Sequence, residues 1–368
     1  MSHATPHGPT QDGCRYCWMC RHVCPTGFAT KRETHTPHGY ALLVASVQRG
    51  VTAWDADTVD ALYHCADCGA CEAHCATHQP LPEAIVEARV AIAAGGQAPK
   101  AAADLQARFE KWGTAYGDPG PRPVAARGEV GLFVGDALPH LGPATVEAAR
   151  TLLARAGVDA VVVGAGRSSG LVASALGFQA TATALARDVL ADVEASGCRE
   201  LLVLTPGDRF AFERAYPTRL GLAWPAGVVV REALDVVADA YAAGRVAFQP
   251  PPIQGRDAWA YQDPDHAVRV GPRSAPRALL TAAFGAPDER RLFRRDERAH
   301  PCGTAGGLDV TQPALAAALA DARLADARGA GARRVYTEDP ACLRHLRGRP
   351  LDGLEVLGVF EALAERLV

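Results

Sequence analysis

The stretch Cys14-Arg-Tyr-Cys17-Trp-Met-Cys20-Arg-His-Val-Cys24-Pro25 lies near the start of the chain. A second run, Cys65-Ala-Asp-Cys68-Gly-Ala-Cys71-Glu-Ala-His-Cys75, follows after forty intervening residues. Both runs have the spacing C-x2-C-x2-C-x3-C, and two full copies of such a pattern are very improbable by chance. The two runs are therefore interpreted as one repeated cofactor-binding unit.

This spacing is typical of [4Fe-4S] ligation of the bacterial ferredoxin type, in which the fourth cysteine of each run binds the other cluster. The rule predicts a first cluster bound by Cys14, Cys17, Cys20 and Cys75. It predicts a second cluster bound by Cys65, Cys68, Cys71 and Cys24. Each predicted cluster then takes one ligand from the other run, Cys75 in the first cluster and Cys24 in the second.

Two other uses of these cysteines are weaker alternatives. A structural zinc site takes four ligands from paired C-x2-C knuckles, which leaves the middle cysteine of each triplet without a role. Disulfides need an oxidising compartment, and no segment resembles a secretory signal. We therefore expect a reducing, cytoplasmic location.

Length, composition and charge limit the classes of protein to which this chain can belong. The 368 residues are enough for two or three domains, and 48% hydrophobic with 21% charged residues is ordinary for a globular protein. The net charge of −3 indicates no general affinity for nucleic acid. No apolar run is long enough to span a bilayer, so no transmembrane segment is expected.

The patterns predict an α + α/β fold. Residues 1–112 are predicted as an all-helical ferredoxin domain with two [4Fe-4S] clusters, and residues 113–129 as a Gly/Pro-rich linker. From there strands and helices alternate, which indicates mostly parallel sheets. Residues 130–247 and 258–368 repeat one plan, joined by a linker at 248–257, so this α/β region is predicted to be duplicated.

With these motifs in place, the chain resembles the iron–sulfur subunits of the heterodisulfide-reductase and glycolate-oxidase type. These join an α-helical two-cluster ferredoxin to a duplicated, cysteine-rich "CCG" domain. Between the cysteine runs that family often has Ser-Pro-Arg-Gly-Arg, and here the stretch reads Thr36-Pro-His-Gly-Tyr40. The resemblance implies a flavoprotein dehydrogenase partner, which carries FAD or FMN, and a quinone or electron carrier as acceptor.

The α/β region departs from the family's cysteine pattern. In the first half the expected positions read Asp136, Gly164-Ala-Gly166-Arg167 and Thr205-Pro-Gly-Asp208, without cysteine. In the second half they read Asp265-His266, His300-Pro-Cys302-Gly303 and Asp339-Pro-Ala-Cys342. A cluster with cysteine ligands throughout cannot be built from these residues, so heterodisulfide chemistry is not carried over.

Two interpretations of the surviving residues stay open. One is a third metal or redox site held by Cys302 and Cys342, completed by Asp265, Asp339, His266 or His300. The other, which we favour, is a degenerate site whose turns persist for structural reasons, because carboxylates bind iron–sulfur clusters poorly compared with thiolates.

Two further stretches need an interpretation. The segment Ala160–Leu171 resembles a dinucleotide fingerprint, but its G-x-G-x3-G spacing is one residue too long, and the glycines match the former CCG turn. The arginine-rich segment Glu289–Arg298 is predicted to be a solvated helix.

The sequence thus predicts an iron–sulfur electron-transfer subunit of an oxidoreductase complex, without a catalytic residue of its own. It would relay single electrons from the flavoprotein to a quinone or carrier, in the cytoplasm or at the inner face of the membrane. One alternative is a stand-alone reductase with the third site at Cys302 and Cys342. Another is an iron–sulfur sensor or scaffold.

Overall fold

The computed structural model describes residues 14–120, 126–251, 258–286 and 289–368. A helical region comes first in the chain and is followed by two parallel sheets with their helices, which confirms the predicted α + α/β class. Residues 1–13 of the predicted ferredoxin domain and residues 121–125 and 252–257 of the predicted linkers lie outside the described residues.

The helical region consists of α-helices of five to fourteen residues. Their bounds are α1 Pro25–Thr30, α2 Pro37–Gln48, α3 Ala56–Tyr63, α4 Ala70–His74, α5 Leu81–Ala94 and α6 Lys100–Trp112. Thr36 begins α2 by accepting a hydrogen bond from the Gly39 amide (3.2 Å), and Asp55 begins α3 in the same way. A Cβ at Gly39 would lie 2.2 Å from the Glu33 carbonyl oxygen, so this motif requires glycine.

The first α/β half is a parallel sheet in the order β2-β1-β3-β4. Its strands are β1 Val130–Phe133, β2 Val161–Val163, β3 Glu200–Val203 and β4 Val229–Glu232. Its helices are α7 Ala137–Leu141, α8 Pro143–Arg155, α9 Leu171–Ala175, α10 Gln179–Ser196, α11 Pro206–Phe210 and α12 Ala233–Ala242, with a π-helix at Ala211–Leu220. The alternation of strands and helices that the sequence predicts for this half is confirmed.

The second half repeats this plan in a reduced form, with strand order β5-β6-β7, all parallel. Its strands are β5 Trp259–Tyr261, β6 Arg334–Thr337 and β7 Glu355–Gly358. Its helices are α13 Ala275–Phe284, α14 Leu308–Thr311, α15 Pro313–Gly329, α16 Pro340–Arg347 and α17 Val359–Glu365. A single parallel bridge between Trp259 and Glu289 stands where β2 pairs in the first half, which supports the predicted duplication.

The two α/β halves share one apolar core. Leu132 and Leu202 of the first sheet belong to the same buried cluster as Trp259, Tyr336 and Phe360 of the second half. Burial of the apolar side chains between the two halves contributes most of the free energy that holds them together. The predicted division of the chain at residues 112, 129, 247 and 257 stays a prediction.

The helical region also packs on the first half, where the Tyr63 hydroxyl donates to the Leu176 carbonyl oxygen at 2.9 Å. Among the described residues, no helix is both long enough and apolar enough to cross a bilayer.

The prediction of a helix at Glu289–Arg298 is wrong. The described part of this segment is irregular, apart from one 3-10 turn at Asp296–Arg298. Its polar groups are engaged in tertiary contacts: the Phe293 amide donates to Asp326 at 2.8 Å, and Arg294 donates to the His22 carbonyl oxygen. Such contacts outweigh the helix propensity of arginine.

Candidate metal centre

Cysteines of both runs line a cavity of about 100 Å³, which we call the first-run cavity. Its cysteines are Cys14, Cys17, Cys20, Cys71 and Cys75. Trp18, Met19 and His38 complete part of its wall, and the Trp18 indole N–H donates to His38 Nε2 at 2.7 Å. The fourth cysteine of the second run thus lies against the triplet of the first.

A smaller cavity of about 20 Å³, the second-run cavity, is also lined by cysteines from both runs. Its cysteines are Cys24, Cys65, Cys68 and Cys71. Pro25, Tyr40 and Ile85 form part of its apolar wall. Pro25 begins α1 directly after Cys24, so Cys24 lies in the second-run cavity and not with the other cysteines of its run. Cys71 lies in the wall of both cavities.

The two loops wrap their cysteines in the same way. Tyr16 and Asp67 adopt left-handed backbone conformations (φ 48° and 51°), and the amide of each donates to a cysteine Sγ two residues earlier at 3.5 Å. Amides directed at sulfur stabilise thiolate charge and help to set the potential of a bound cluster. This repetition is the structural counterpart of the repeated motif.

Five of the cavity cysteines resist ionisation as free thiols. Burial, followed by the charge of nearby thiolates, raises the pKa of Cys20 to about 11, and burial raises the pKa of Cys68 to about 12. Burial also raises the pKa of Cys24, Cys65 and Cys71.

Only a strongly bound cation would stabilise several thiolates together in such a space, and metal binding releases their protons. A [4Fe-4S] cluster requires four thiolate ligands. Each cavity is lined by at least four cysteines, so the residues present fit this cofactor.

Cys75 differs from these five cysteines. Burial acts to raise its pKa, but hydrogen bonds from the Thr77 hydroxyl and from the backbone amides of Gln79, Thr77 and His78 lower the pKa overall. Its Sγ lies 3.3 Å from the Thr77 hydroxyl. These hydrogen bonds therefore favour the thiolate form of Cys75, which lies at the more open of the two cavities.

The two cavities differ in exposure. At the first-run cavity Cys17 is exposed, and Trp18 and Met19 are 54% and 48% exposed. At the second-run cavity Cys24 is 6% exposed, and Tyr40 is fully buried. One cavity therefore has an edge open to a partner, while the other is enclosed by protein.

A buried ion network, not predicted from the sequence, joins the second-run loop to both α/β halves. Asp67 and Glu83 are held by Arg219 of the first half at 2.8 and 2.6 Å, and by Arg269 of the second half. Both guanidinium groups lie over the Phe210 ring. Burial is the largest influence on the pKa of Asp67 and would raise it, but the two arginines hold the pKa well below its usual value. Asp67 occupies an unspecified position of a C-x2-C motif, so no local signal marks it.

Arg89 is a second unpredicted residue at this loop. Its guanidinium is fully buried and donates to the carbonyl oxygens of Cys65 (2.6 Å), Leu62 (2.7 Å) and Ala175 (2.8 Å). In the described part of the chain, no carboxylate forms an ion pair with it. Arg89 therefore places a positive charge beside the second-run cavity.

The structure brings together part of the predicted third site. Cys302 and Cys342 are both fully buried, and Cys302 Sγ lies 3.8 Å from an oxygen of Asp265. Asp339 accepts a hydrogen bond from the Cys342 amide at 2.9 Å and so begins α16. His300 is directed away, with Nε2 at 3.2 Å from the Val23 carbonyl oxygen. Asp265 thus lies beside the buried thiol of Cys302, Asp339 caps a helix, and His300 contacts a residue of the first cysteine run.

The glycine turn after β2 has a packing role. A Cβ on Gly164 would lie 2.3 Å from the Phe133 ring. Arg167 pairs with Asp188 and Asp192, both at 2.8 Å, so the acidic residue that a dinucleotide site would use for a ribose is already occupied.

Comparison with known proteins agrees with the geometry of the cysteine runs. Residues 10–79 match the family described as "4Fe-4S dicluster domain". A "Probable membrane-anchored ferredoxin" of Chromohalobacter salexigens is 27% identical over 329 residues, which cover 85% of this chain and 47% of that protein. One of the subunits of the dihydromethanophenazine:CoB--CoM heterodisulfide reductase of Methanosarcina barkeri is 28% identical over 191 residues, covering 50% of this chain and 44% of that protein.

The chain spans less than half the length of both of these curated relatives. The comparisons confirm the prediction of an iron–sulfur protein of ferredoxin type, in the electron-transport and oxidoreductase class.

Proposed function

We propose that this chain is an electron-transfer subunit that binds two [4Fe-4S] clusters and passes single electrons between a flavoprotein dehydrogenase and a further acceptor. The observation that carries the proposal is the exchange of Cys24 and Cys75 between the cavities. If each run bound its own zinc ion, its fourth cysteine would lie with its own triplet. In two-cluster ferredoxins, by contrast, the fourth cysteine of each run binds the cluster of the other run.

In this proposal the first cluster is held by Cys14, Cys17, Cys20 and Cys75. The second is held by Cys65, Cys68, Cys71 and Cys24. When bound, such clusters supply one-electron transfer at potentials that the protein sets. Cys71 lies in both walls, so the two clusters would be close neighbours and electrons would pass between them inside the protein.

The partner side of the proposal rests on the open edge of the first-run cavity. Trp18 and Met19 are large and exposed there, and Arg15 and Arg21 are exposed beside them. An apolar patch with a basic rim suits a partner surface with complementary acidic groups. We propose that a flavoprotein carrying FAD or FMN docks on this edge.

The acceptor is proposed to be a quinone or an electron carrier, reached in the cytoplasm or at the inner face of the membrane. The description of one relative as a membrane-anchored ferredoxin supports a membrane-associated acceptor. The flavin would carry out the two-electron chemistry on the metabolite, and this chain would supply position and potential.

The experiment that tests the ligand exchange compares Cys24→Ser and Cys75→Ser after anaerobic cluster reconstitution. Cys24→Ser should alter the EPR signal and potential of the second cluster and leave those of the first largely intact, and Cys75→Ser should do the reverse. Cys198→Ser is the control, because Cys198 is as buried as Cys24 but belongs to the first α/β core. Each substitution altering only the cluster of its own run would contradict the exchange.

A further inference from the structure

Tyr40 carries a buried hydroxyl that the protein leaves without a hydrogen bond. The residue belongs to α2, lies in the wall of the second-run cavity and is 1% exposed. Its hydroxyl has no hydrogen-bond partner among the described residues. Burial of an unpaired hydroxyl costs free energy, and such a group in a native structure is expected where a bound molecule completes its hydrogen bonding.

Other buried tyrosines find a partner within the chain. The Tyr63 hydroxyl donates to the Leu176 carbonyl oxygen at 2.9 Å, and the Tyr216 hydroxyl donates to the Ser169 carbonyl oxygen at 3.1 Å. The fold therefore supplies an acceptor where a buried tyrosine needs one for packing alone. The unpaired hydroxyl of Tyr40 is a property of the cavity that it lines.

The backbone and the ring of Tyr40 are both fixed. Its amide donates to the Thr36 carbonyl oxygen at 2.9 Å, in the first turn of the helix that Thr36 caps. Its ring belongs to the same buried apolar cluster as Leu62 and Ile85. The hydroxyl therefore stays at the cavity and cannot turn to solvent.

The wall of the second-run cavity offers Tyr40 only sulfur as a side-chain acceptor. Apart from Tyr40, the described residues of this wall are four cysteines, Thr26, and residues whose side chains carry no polar atom. The Thr26 hydroxyl donates to the His64 carbonyl oxygen at 3.0 Å and makes no hydrogen bond with Tyr40. A partner for the Tyr40 hydroxyl in this space is therefore a sulfur atom.

Electrostatics place the hydroxyl near two of the four cysteines. Burial, followed by the charges of Cys24 and Cys65, raises the pKa of Tyr40 well above its usual value. The phenol therefore keeps its proton and acts as a donor. Cys24 and Cys65 come from different runs, so Tyr40 faces the side of the cavity where the exchanged ligand meets the second run.

A hydroxyl group also accompanies the exchanged ligand of the other cavity. There the Thr77 hydroxyl lies 3.3 Å from the Sγ of Cys75. At the second-run cavity the Gly27 amide donates to the Sγ of Cys24 at 3.4 Å, and Tyr40 supplies the hydroxyl. Each exchanged cysteine is thus accompanied by one hydroxyl group.

We propose that the Tyr40 hydroxyl donates a hydrogen bond to sulfur of the second-run cluster, on the side bound by Cys24 and Cys65, and so raises the reduction potential of that cluster. The inference deepens the proposed function and rests on the second cluster that this function contains. Reduction makes the cluster more negative, and a hydrogen bond to its sulfur stabilises the reduced form more than the oxidised form. Tyr40 is a tuning residue and not a ligand, since the four cysteines remain the ligands of the irons.

The test is an anaerobic potentiometric titration of the reconstituted full chain, followed by EPR, for wild type and Tyr40→Phe. Loss of a hydrogen bond of ordinary strength should lower the ratio of reduced to oxidised second-run cluster about fivefold at the wild-type midpoint. At 59 mV per tenfold this fold-change is a potential lower by about 40 mV. The first-run cluster should keep its potential.

Tyr63→Phe is the matched control, because it removes a buried tyrosine hydroxyl that is bonded to a backbone carbonyl oxygen and does not line the cavity. It should leave both potentials unchanged. Deuterium ENDOR after reconstitution in D₂O gives a second measurement. The second-run cluster should show an exchangeable deuteron that is lost in Tyr40→Phe and kept in Tyr63→Phe.

Three results would overturn the inference while leaving the proposed function intact. They are equal second-run potentials in Tyr40→Phe and wild type, an equal shift in Tyr63→Phe, or deuteron couplings that Tyr40→Phe does not change. If Tyr40→Phe fails to take up iron, ring-fluorinated tyrosine is incorporated into the wild-type chain instead. Its hydroxyl is a stronger donor, so the second-run potential should rise, and an unchanged potential would reject the inference. Absence of a second cluster from the wild-type protein would reject the proposed function, and the inference with it.

Discussion

Replacement of Arg89 by glutamine should lower the reduction potential of the second-run cluster. Reduction adds one negative charge to a cluster, and a fixed cation nearby stabilises the reduced form. Arg89 supplies such a cation, since its guanidinium is fully buried and donates to the Cys65 carbonyl oxygen at 2.6 Å. Glutamine keeps a hydrogen-bond donor and removes the charge.

The neighbouring arginines should contribute much less. Arg219 and Arg269 approach the same loop, but Asp67 and Glu83 neutralise them at short range. Arg89 donates to carbonyl oxygens, and no carboxylate among the described residues cancels it. The potential should therefore respond to Arg89 as to a single unit charge.

The size of the effect follows from Coulomb's law. Two unit charges about 4 Å apart interact by about 4 kcal/mol at an effective dielectric constant near 20. A carbonyl group and a sulfur atom separate the guanidinium from the irons, so the distance roughly doubles and the energy falls to about 2 kcal/mol. For a one-electron couple this corresponds to roughly 90 mV.

The assay is a potentiometric titration followed by EPR, in which the first-run cluster serves as an internal reference. Arg89→Lys retains the charge and should shift the potential by less than half as much as Arg89→Gln. Tyr63→Phe is the neutral control, because its ring lies 4.9 Å from the guanidinium and it changes packing without changing charge. Equal shifts in all three variants, or an unshifted potential in Arg89→Gln, would refute the electrostatic reasoning.

Three further predictions concern other parts of the chain. Cys302→Ser combined with Cys342→Ser should leave iron content and electron transfer near wild type, and loss of a third metal centre in the metal analysis would contradict this. Since the pKa of Asp208 is raised in the folded state to about 7, the free energy of unfolding should fall as the pH rises from about 4 to about 7, and urea titrations should show this slope reduced in Asp208→Asn. Trp18→Ala should slow cluster reduction by the flavoprotein while leaving dithionite reduction unchanged, and substrate-driven reduction by this chain alone would reject the partner proposal.

The local parts of the fold could be predicted from the sequence. Thr36 and Asp55 are side-chain caps and Pro82 is a first-turn proline, which are local signals that mark helix starts in a sequence. The parallel strands β1 and β3 follow from short apolar runs between helices. Spacing alone also predicted which cysteines would meet across the two runs, although their ligation stays a prediction.

The long-range parts could not be predicted. Arg219 and Arg269 reach Asp67 from positions far along the chain, and nothing near any of them marks the contact. The short strand β7 and the helix α13 were not predicted, and the arginine-rich segment was predicted as a helix because its tertiary bonds leave no local signal. The positions of Asp136, Asp208, Asp265 and Asp339 were identified as replaced cysteines or their neighbours. That none of them forms an ion pair with another described residue is visible only in the structure.

Double integration of the EPR signal from the fully reduced, reconstituted protein tests the central claim most directly. Two neighbouring [4Fe-4S] clusters that share Cys71 in their walls predict about two spins per chain, with line shapes broadened by mutual coupling, from about eight irons and eight sulfides. One spin from about four irons per chain, or zinc as the dominant metal, would contradict the account.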